Sequence, residues 1–275
     1  MKLSIFIAGY RAENWLSVYN SVSQATVMQD YEIVFVGPNE PSKEVLDIPN
    51  IRFIQDFGCP SRCYQLGLLH SKGEYVVWAA DDGVFSPTLA IDKAFEILPN
   101  HHKGIVAFKY YEAPFDCPKY NKKSKKKKAV QKRAEKQFLE SDTYWHMYGH
   151  LMRDIQFIQN HYVLLMIALM RRDYLMEIGG FDCQYEQPGI GCHDLAVRLQ
   201  NDGAEVVLGE KIMDISNSPS EHGPIDIAQN QNDLPLLQSM YNDPAFESRT
   251  NIPVDNWKQV PDVWPRRFPG GKAST

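Results

Sequence analysis

An α/β fold with a mostly parallel sheet, covered by helices on both faces, is predicted by three observations. Short apolar runs, "KLSIFIAG", "YEIVFVG", "NIRFIQDF", "EYVVWAA" and "GIVAFKYY", alternate with segments of helical periodicity. Several of these runs are apolar almost throughout instead of at every second residue, as expected of strands buried on both faces. Glycine and proline stand at the junctions between runs.

The elements follow in order. Lys2 to Gly9 reads as a strand, and Trp15, Val18, Tyr19 and Val22 then fall at helical spacing. "YEIVFVG" is a second strand stopped by Gly37-Pro38, and "NIRFIQDF" a third. "CPSRCYQLGLLHS" is a helix with Pro60 in its first turn, closed before the strand "EYVVWAA" by Gly73. After Asp81-Asp82-Gly83 comes a helix, "SPTLAIDKAFEIL", with Ser86 as N-cap and Pro87 at the first helical position, and then the strand "GIVAFKYY". The second half is less regular. It holds an aromatic and histidine-rich stretch "TYWHMYGH", the apolar run "YVLLMIALM", a helix ending at Gly179-Gly180, and "CHDLAVRLQNDGAEVVLG", read as helix, Gly203 stop and strand. From Pro253 onward, prolines without periodicity predict an arm that wraps or frays. The expected organisation is one domain over 1–241, with a basic insertion at 119–136, and a C-terminal extension over 242–275.

With 275 residues and 44% hydrophobic content, the chain can bury one large core. Its longest apolar run, Tyr162 to Met170, is far short of the roughly 20 residues a membrane span requires. The first residues lack a cleavable signal's apolar region, so a soluble, cytoplasmic protein is expected. Five cysteines without paired spacing indicate neither a disulfide framework nor a zinc site. The net charge of -5 conceals an asymmetry: Lys119 to Lys136 holds ten Lys and Arg against Glu135 alone, a segment of +9 that leaves -14 elsewhere. Such a run is a solvated insertion or a contact to a polyanion, DNA included, through Lys122 to Lys128.

In open α/β sheets, ligands sit beyond the carboxyl ends of the strands, and Asp81 and Asp82 stand at such an end. Two adjacent carboxylates there repel unless water or a positive charge reaches them. A divalent cation is the economical partner, and hard oxygen ligands suit Mg²⁺ or Mn²⁺. An Asp-Gly turn with both side chains in solvent is the plain alternative. No phosphate loop of the G-x-x-x-x-G-K-[ST] type occurs.

Across roughly Lys2 to Tyr241, dispersed motifs in the expected order resemble the GT-A-type glycosyltransferases, family 2 in particular. "LSIFIAGYRAENWLSVYNSV" is similar to the family's opening strand and helix, although "GYR" stands where a Thr-Tyr-Asn turn is usual. "YEIVFVGPNEP" is similar to its second strand, with Asn39 in a turn that is commonly acidic. In "GCPSRCYQLGLLHSKGEYVVWAADDG", Arg62 and "ADD" stand at the positions of a nucleotide-proximal arginine and the D-x-D signature. "MEIGGFD" resembles a loop lining the donor sugar and acceptor.

The resemblance implies a GT-A fold and metal-dependent transfer, inverting by expectation, of a sugar from a nucleotide-sugar donor, a UDP-sugar above all, to the hydroxyl of a glycan, a lipid-linked sugar or another acceptor. Asp82 would hold Mn²⁺ or Mg²⁺, and Asp81 would contact the ribose or the metal's water shell. Ala8, Tyr10, Asn39, Arg62 and Gly180 would line the nucleotide-sugar site, and His222 would supply a third metal ligand. The family's Glu-Asp base motif is replaced by Gly191-Cys192, while Asp194, Leu195 and Arg198 fit the positions that follow. Asp194 or His193 is the expected substitute base, and Asp194 also reads as a helix N-terminal carboxylate. A hydroxymethylated base in DNA is an alternative acceptor, and a non-catalytic nucleotide-sugar-binding module an alternative function.

Overall fold

The computed structural model describes residues 1–112, 162–215, 222–242 and 249–271. The basic insertion and "TYWHMYGH" lie outside them. Eight strands form one sheet: β1 (Leu3–Ala8), β2 (Tyr31–Gly37), β3 (Ile51–Gln55), β4 (Tyr75–Ala80), β5 (Gly83–Phe85), β6 (Gly104–Glu112), β7 (Ala168–Arg171) and β8 (Glu205–Ile215), in the order β3-β2-β1-β4-β7-β6-β8-β5. Strands β1 to β4 pair in parallel, β7 runs antiparallel to both β4 and β6, β6 and β8 are parallel, and β5 is antiparallel to β8. All strands but the short β5 and β7 therefore point the same way, which is the mostly parallel α/β sheet expected.

The continuous apolar runs are explained by burial on two faces. On β1, Leu3, Ile5 and Ile7 point to one core with Trp15, Val18 and Val22 of α1 (Trp15–Ala25) and Ile91 and Ala94 of α4 (Ala90–Ile97). Phe6 points to the other, with Tyr64, Leu66 and Leu68 of α3 (Pro60–His70) and Ile190, Leu195 and Leu199 of α6 (Pro188–Asn201). A short α2 (Lys43–Leu46) precedes β3, and α5 (Arg172–Glu177) follows β7. Two further helices, α7 (His222–Ala228) and α8 (Leu234–Tyr241), flank a π-helical turn at Gln229–Asp233.

One helix begins later than predicted. Ser86 and Pro87 do not open α4: its N-cap is Leu89, in the left-handed region at φ 55°. The cause is β5, which joins the edge of β8, after which the Ser86 amide donates to Ile212 O and the Thr88 hydroxyl to Lys211 O. Residues 83–88 are committed to that edge before the helix can start. The arm after Pro253 wraps: Val263 bridges Phe57, Trp264 is buried, and the amide side chain of Gln65 donates to Val254 O.

The sheet order places a topological switch at β1. The chain proceeds from β1 outward to β2 and β3, then crosses to β4 on the other side of β1. Ligands of open α/β sheets favour the crevice at such a point. The register makes the three ends level, Ala8 pairing with Val36 on one side and with Ala80 on the other. Backbones approach so closely here that a Cβ on Gly37 would lie 1.6 Å from the carbonyl oxygen of Gly9.

Candidate functional site

Asp81 follows the last residue of β4 and is 3% exposed. Its Oδ2 accepts the backbone amides of Tyr10 and Arg11, each at 2.6 Å, and its Oδ1 accepts from Arg11 Nη1 at 2.7 Å. The same nitrogen lies 3.7 Å from Asp82 Oδ2. Asp81 thus fastens the loop after β1 to the end of β4, and the positive charge beside both carboxylates is the Arg11 guanidinium. Asp82 is the less buried of the two. Sequence reasoning passed over Arg11, although it stands in the "GYR" turn that departs from the family pattern.

Asn39 donates from Nδ2 to Tyr10 O at 2.6 Å, which ties the turn after β2 to the same loop. Ala8, Tyr10, Asn39, Asp81 and Asp82 are therefore brought together at the switch point. From the C-terminal arm, the guanidinium of Arg267 lies 3.9 Å from the centre of the Tyr10 ring. Cation–π contact of this kind binds the arm across the mouth of the crevice.

Arg62 and Gly180 sit deeper. Arg62 is buried, with Nε 3.1 Å from both oxygens of Asp56 and Nη1 donating to Trp257 O at 2.6 Å. It joins the loop after β3 to the C-terminal arm. Gly180 has φ 71°, and a Cβ there would fall 2.1 Å from Gln65 Oε1. Both its conformation and its space require glycine. His222 opens α7, and its side chain is not among those described.

The two expected bases occupy the interior. Asp194 is 0% exposed; its Oδ2 accepts from Arg198 Nε at 2.7 Å, and its Oδ1 from Tyr241 Oη at 2.6 Å and from Arg249 Nη1. Arg249 also reaches Asp182 at 2.6 Å, and Arg198 donates to the carbonyls of Ile178 and Gly180. Asp194 is thus the hub of a charge network that holds the Gly179-Gly180 loop on α6. His193 is likewise 0% exposed, with Nδ1 2.8 Å from Tyr162 Oη. Burial pushes its imidazole down to about 3, so it is neutral but a weak proton acceptor at neutral pH. The Cys192 thiol, at a position of the missing motif, is pushed up to about 12 by burial and stays protonated. These positions explain how α6 is fixed in place; none presents an open base.

Among the described residues no three His, Cys, Asp or Glu side chains form a metal-binding group. Asp81 already accepts three close donors, and Asp82, the more exposed of the two carboxylates, is the better placed to meet a cation at the crevice. A site of one carboxylate fits Mg²⁺ or Mn²⁺, because these ions keep waters and accept substrate phosphates as ligands.

A cavity of about 410 Å³ lies between the start of α3, the loop before α6 and the C-terminal arm, with Cys59, Cys183, Glu186, Val260, Trp264 and Arg266 in its wall. No motif signals it, because its wall is assembled from segments about 120 and 80 residues apart.

No protein-family model and no curated protein matches the chain. Among solved structures it is similar to S. aureus TarS, at 14% identity and TM-score 0.48 over 80% of this chain and 37% of that one. It is similar also to S. aureus TarS 1–349 in complex with UDP, at 13% identity and TM-score 0.47 over 80% and 61%. The same TarS fragment in complex with UDP-GlcNAc matches at 13% identity and TM-score 0.45 over 81% and 60%. The chain spans between 37% and 61% of the length of these structures.

Proposed function

We propose that this chain is a GT-A-type glycosyltransferase that moves a sugar from a nucleotide-sugar donor to an acceptor hydroxyl with the aid of Mn²⁺ or Mg²⁺. The observation that carries the reading is the pair Asp81-Asp82 at the switch point, one carboxylate bracing the β1 loop and the other left beside Arg11 at the crevice. A nucleoside diphosphate carries its charge on the leaving side of the glycosidic bond. Asp82 would hold the cation, which when bound neutralises that developing charge. Arg11 adds a fixed positive charge on the same side, and Tyr10 and Asn39 shape the loops that would receive the nucleoside. UDP-sugars are the donors to test first, and inversion at the anomeric carbon belongs to the proposal.

The test is release of nucleoside diphosphate from a panel of nucleotide sugars by the purified chain with Mn²⁺, with and without glycan acceptors. Turnover that Asp82→Asn abolishes supports the proposal, and no release from any donor rejects it. A second reading, a nucleotide-sugar-binding module without catalysis, is favoured by the complete burial of Asp194 and His193. Donor binding without release under every condition would select it. A DNA acceptor rests on Lys122 to Lys128, which lie outside the described residues.

A further inference from the structure

We infer that Glu186 is the general base of the proposed transfer and that the cavity it lines receives the acceptor, an assignment that rests on the glycosyltransferase reading above. Glu186 lies on the loop between Gly180 and α6, five positions before Gly191, where the expected acidic motif is absent. Its side chain is 20% exposed, in contrast to the sealed Asp194 and His193. Trp264 Nε1 donates to its Oε2 at 2.5 Å and Arg266 Nε donates to the same oxygen at 2.7 Å. No described residue donates to Oε1. The carboxylate is therefore oriented by two donors on one oxygen while the other retains its lone pairs, which is how a base is held ready for a proton.

Two chains of contacts link the cavity wall to the donor crevice. Arg266 lines the cavity, and its neighbour Arg267 lies on Tyr10, whose amide holds Asp81. On the other side the Glu186 carbonyl accepts from the Ser61 amide at the start of α3, and Tyr64 of that helix donates to Ala79 O, two residues before Asp81. A volume of about 410 Å³ falls within the range of small-molecule sites. Val260, Pro261, Trp264 and Pro265 make most of one wall apolar, while Gln184, Glu186 and Arg266 are its polar groups. That combination suits a sugar-sized group with a hydrophobic ring face and a hydroxyl directed at the carboxylate.

In the step assigned to it, Glu186 Oε1 takes the proton of the acceptor hydroxyl as that oxygen forms its bond to the anomeric carbon. The bond from that carbon to the diphosphate oxygen breaks, its electron pair leaves with the nucleoside diphosphate, and the carboxylic acid returns its proton to solvent. Water in the cavity undergoes the same step as donor hydrolysis.

The experiment compares wild type, Glu186→Gln and Val260→Trp for hydrolysis of UDP-GlcNAc and UDP-glucose with Mn²⁺, and for donor Kd by calorimetry. Glutamine keeps an oxygen for Trp264 and Arg266 but cannot take the proton, so kcat is expected to fall by about 10²- to 10⁴-fold with donor Kd unchanged. Val260→Trp fills the cavity and is expected to lower turnover, also without weakening donor binding. Wild-type turnover in both variants overturns the assignment alone. Absence of donor binding and release by the wild type overturns the glycosyltransferase reading and this assignment with it.

Discussion

Asp81 and Asp82 are neighbours in sequence, but a substitution at each should be felt in a different place. Asp81→Ala removes the acceptor of the part-buried backbone amides of Tyr10 and Arg11 and an ion-pair partner of the Arg11 side chain. A loss of about 2–4 kcal/mol is expected, read as a fall in the urea midpoint. Asp82→Ala removes the carboxylate 3.7 Å from Arg11 and should lower the urea midpoint less than Asp81→Ala does while removing Mn²⁺-dependent donor binding. The reverse pattern would place the cation on Asp81. A second residue-scale expectation concerns pH. Burial pushes the Asp233 carboxyl up to about 6, against the amides of Glu186 and Gln187 that donate to it at 2.8 Å. The folded chain therefore takes this proton more readily than the unfolded one. The stabilisation is full below the ordinary value of 3.8 and is lost as pH rises through about 6. Relative to Asp233→Asn, which does not ionise, the wild type should lose on the order of 2 kcal/mol between pH 4 and pH 7, seen as a narrowing or reversal of their Tm difference.

Elements differ in how far the sequence reveals them. Much of the first half is legible because two-sided burial writes β1 to β4 as continuous apolar runs and α1 and α3 keep a helical period, whereas the single turn of α2 carries none. The short β5 and β7 are not legible, since three or four residues carry no usable period and are defined by the strands they join. Within the site, the carboxylates at the end of β4 were visible from their position alone. Arg249, which completes the Asp182 and Asp194 network, was not, because it meets Asp194 across 55 positions of sequence and follows no motif. Glycine at 180 shows how such a network is attached to an element. Gly180→Ala would set a methyl group 2.1 Å from Gln65 Oε1 at a φ of 71°, beside the carbonyl that Arg198 holds. It should cost more than about 2 kcal/mol and loosen α5 from α6, measured as lower Tm and faster amide exchange at Phe181, whose amide donates to Gln65 Oε1.

At the scale of the whole molecule, the sheet brings three strand ends level, and the C-terminal arm crosses beside them, with Val263 on Phe57, Trp257 O on Arg62 and Arg267 on Tyr10. A donor seated there would bind β1, β2, β4 and the arm at once, contacts that exist only when the chain is folded. Binding to the folded state alone at 100 times Kd adds about 2.7 kcal/mol to stability, which for a chain of this size raises Tm by about 5 °C or more. The rise should appear with a nucleotide sugar and Mn²⁺ together, shrink on chelation, and vanish in Asp82→Ala. The charge asymmetry supplies the control. Deleting Lys122 to Lys128 removes six of the ten cations of the basic segment but leaves Tyr10, Arg11, Asn39 and Asp82 in the chain, so a Tm rise that comes from the switch point should persist in the deletion at both low and high salt. A rise that disappears with those lysines, or falls steeply with salt, would instead mark a polyanion site. Persistence in the deletion and loss in Asp82→Ala would together locate donor recognition at the switch point of the sheet.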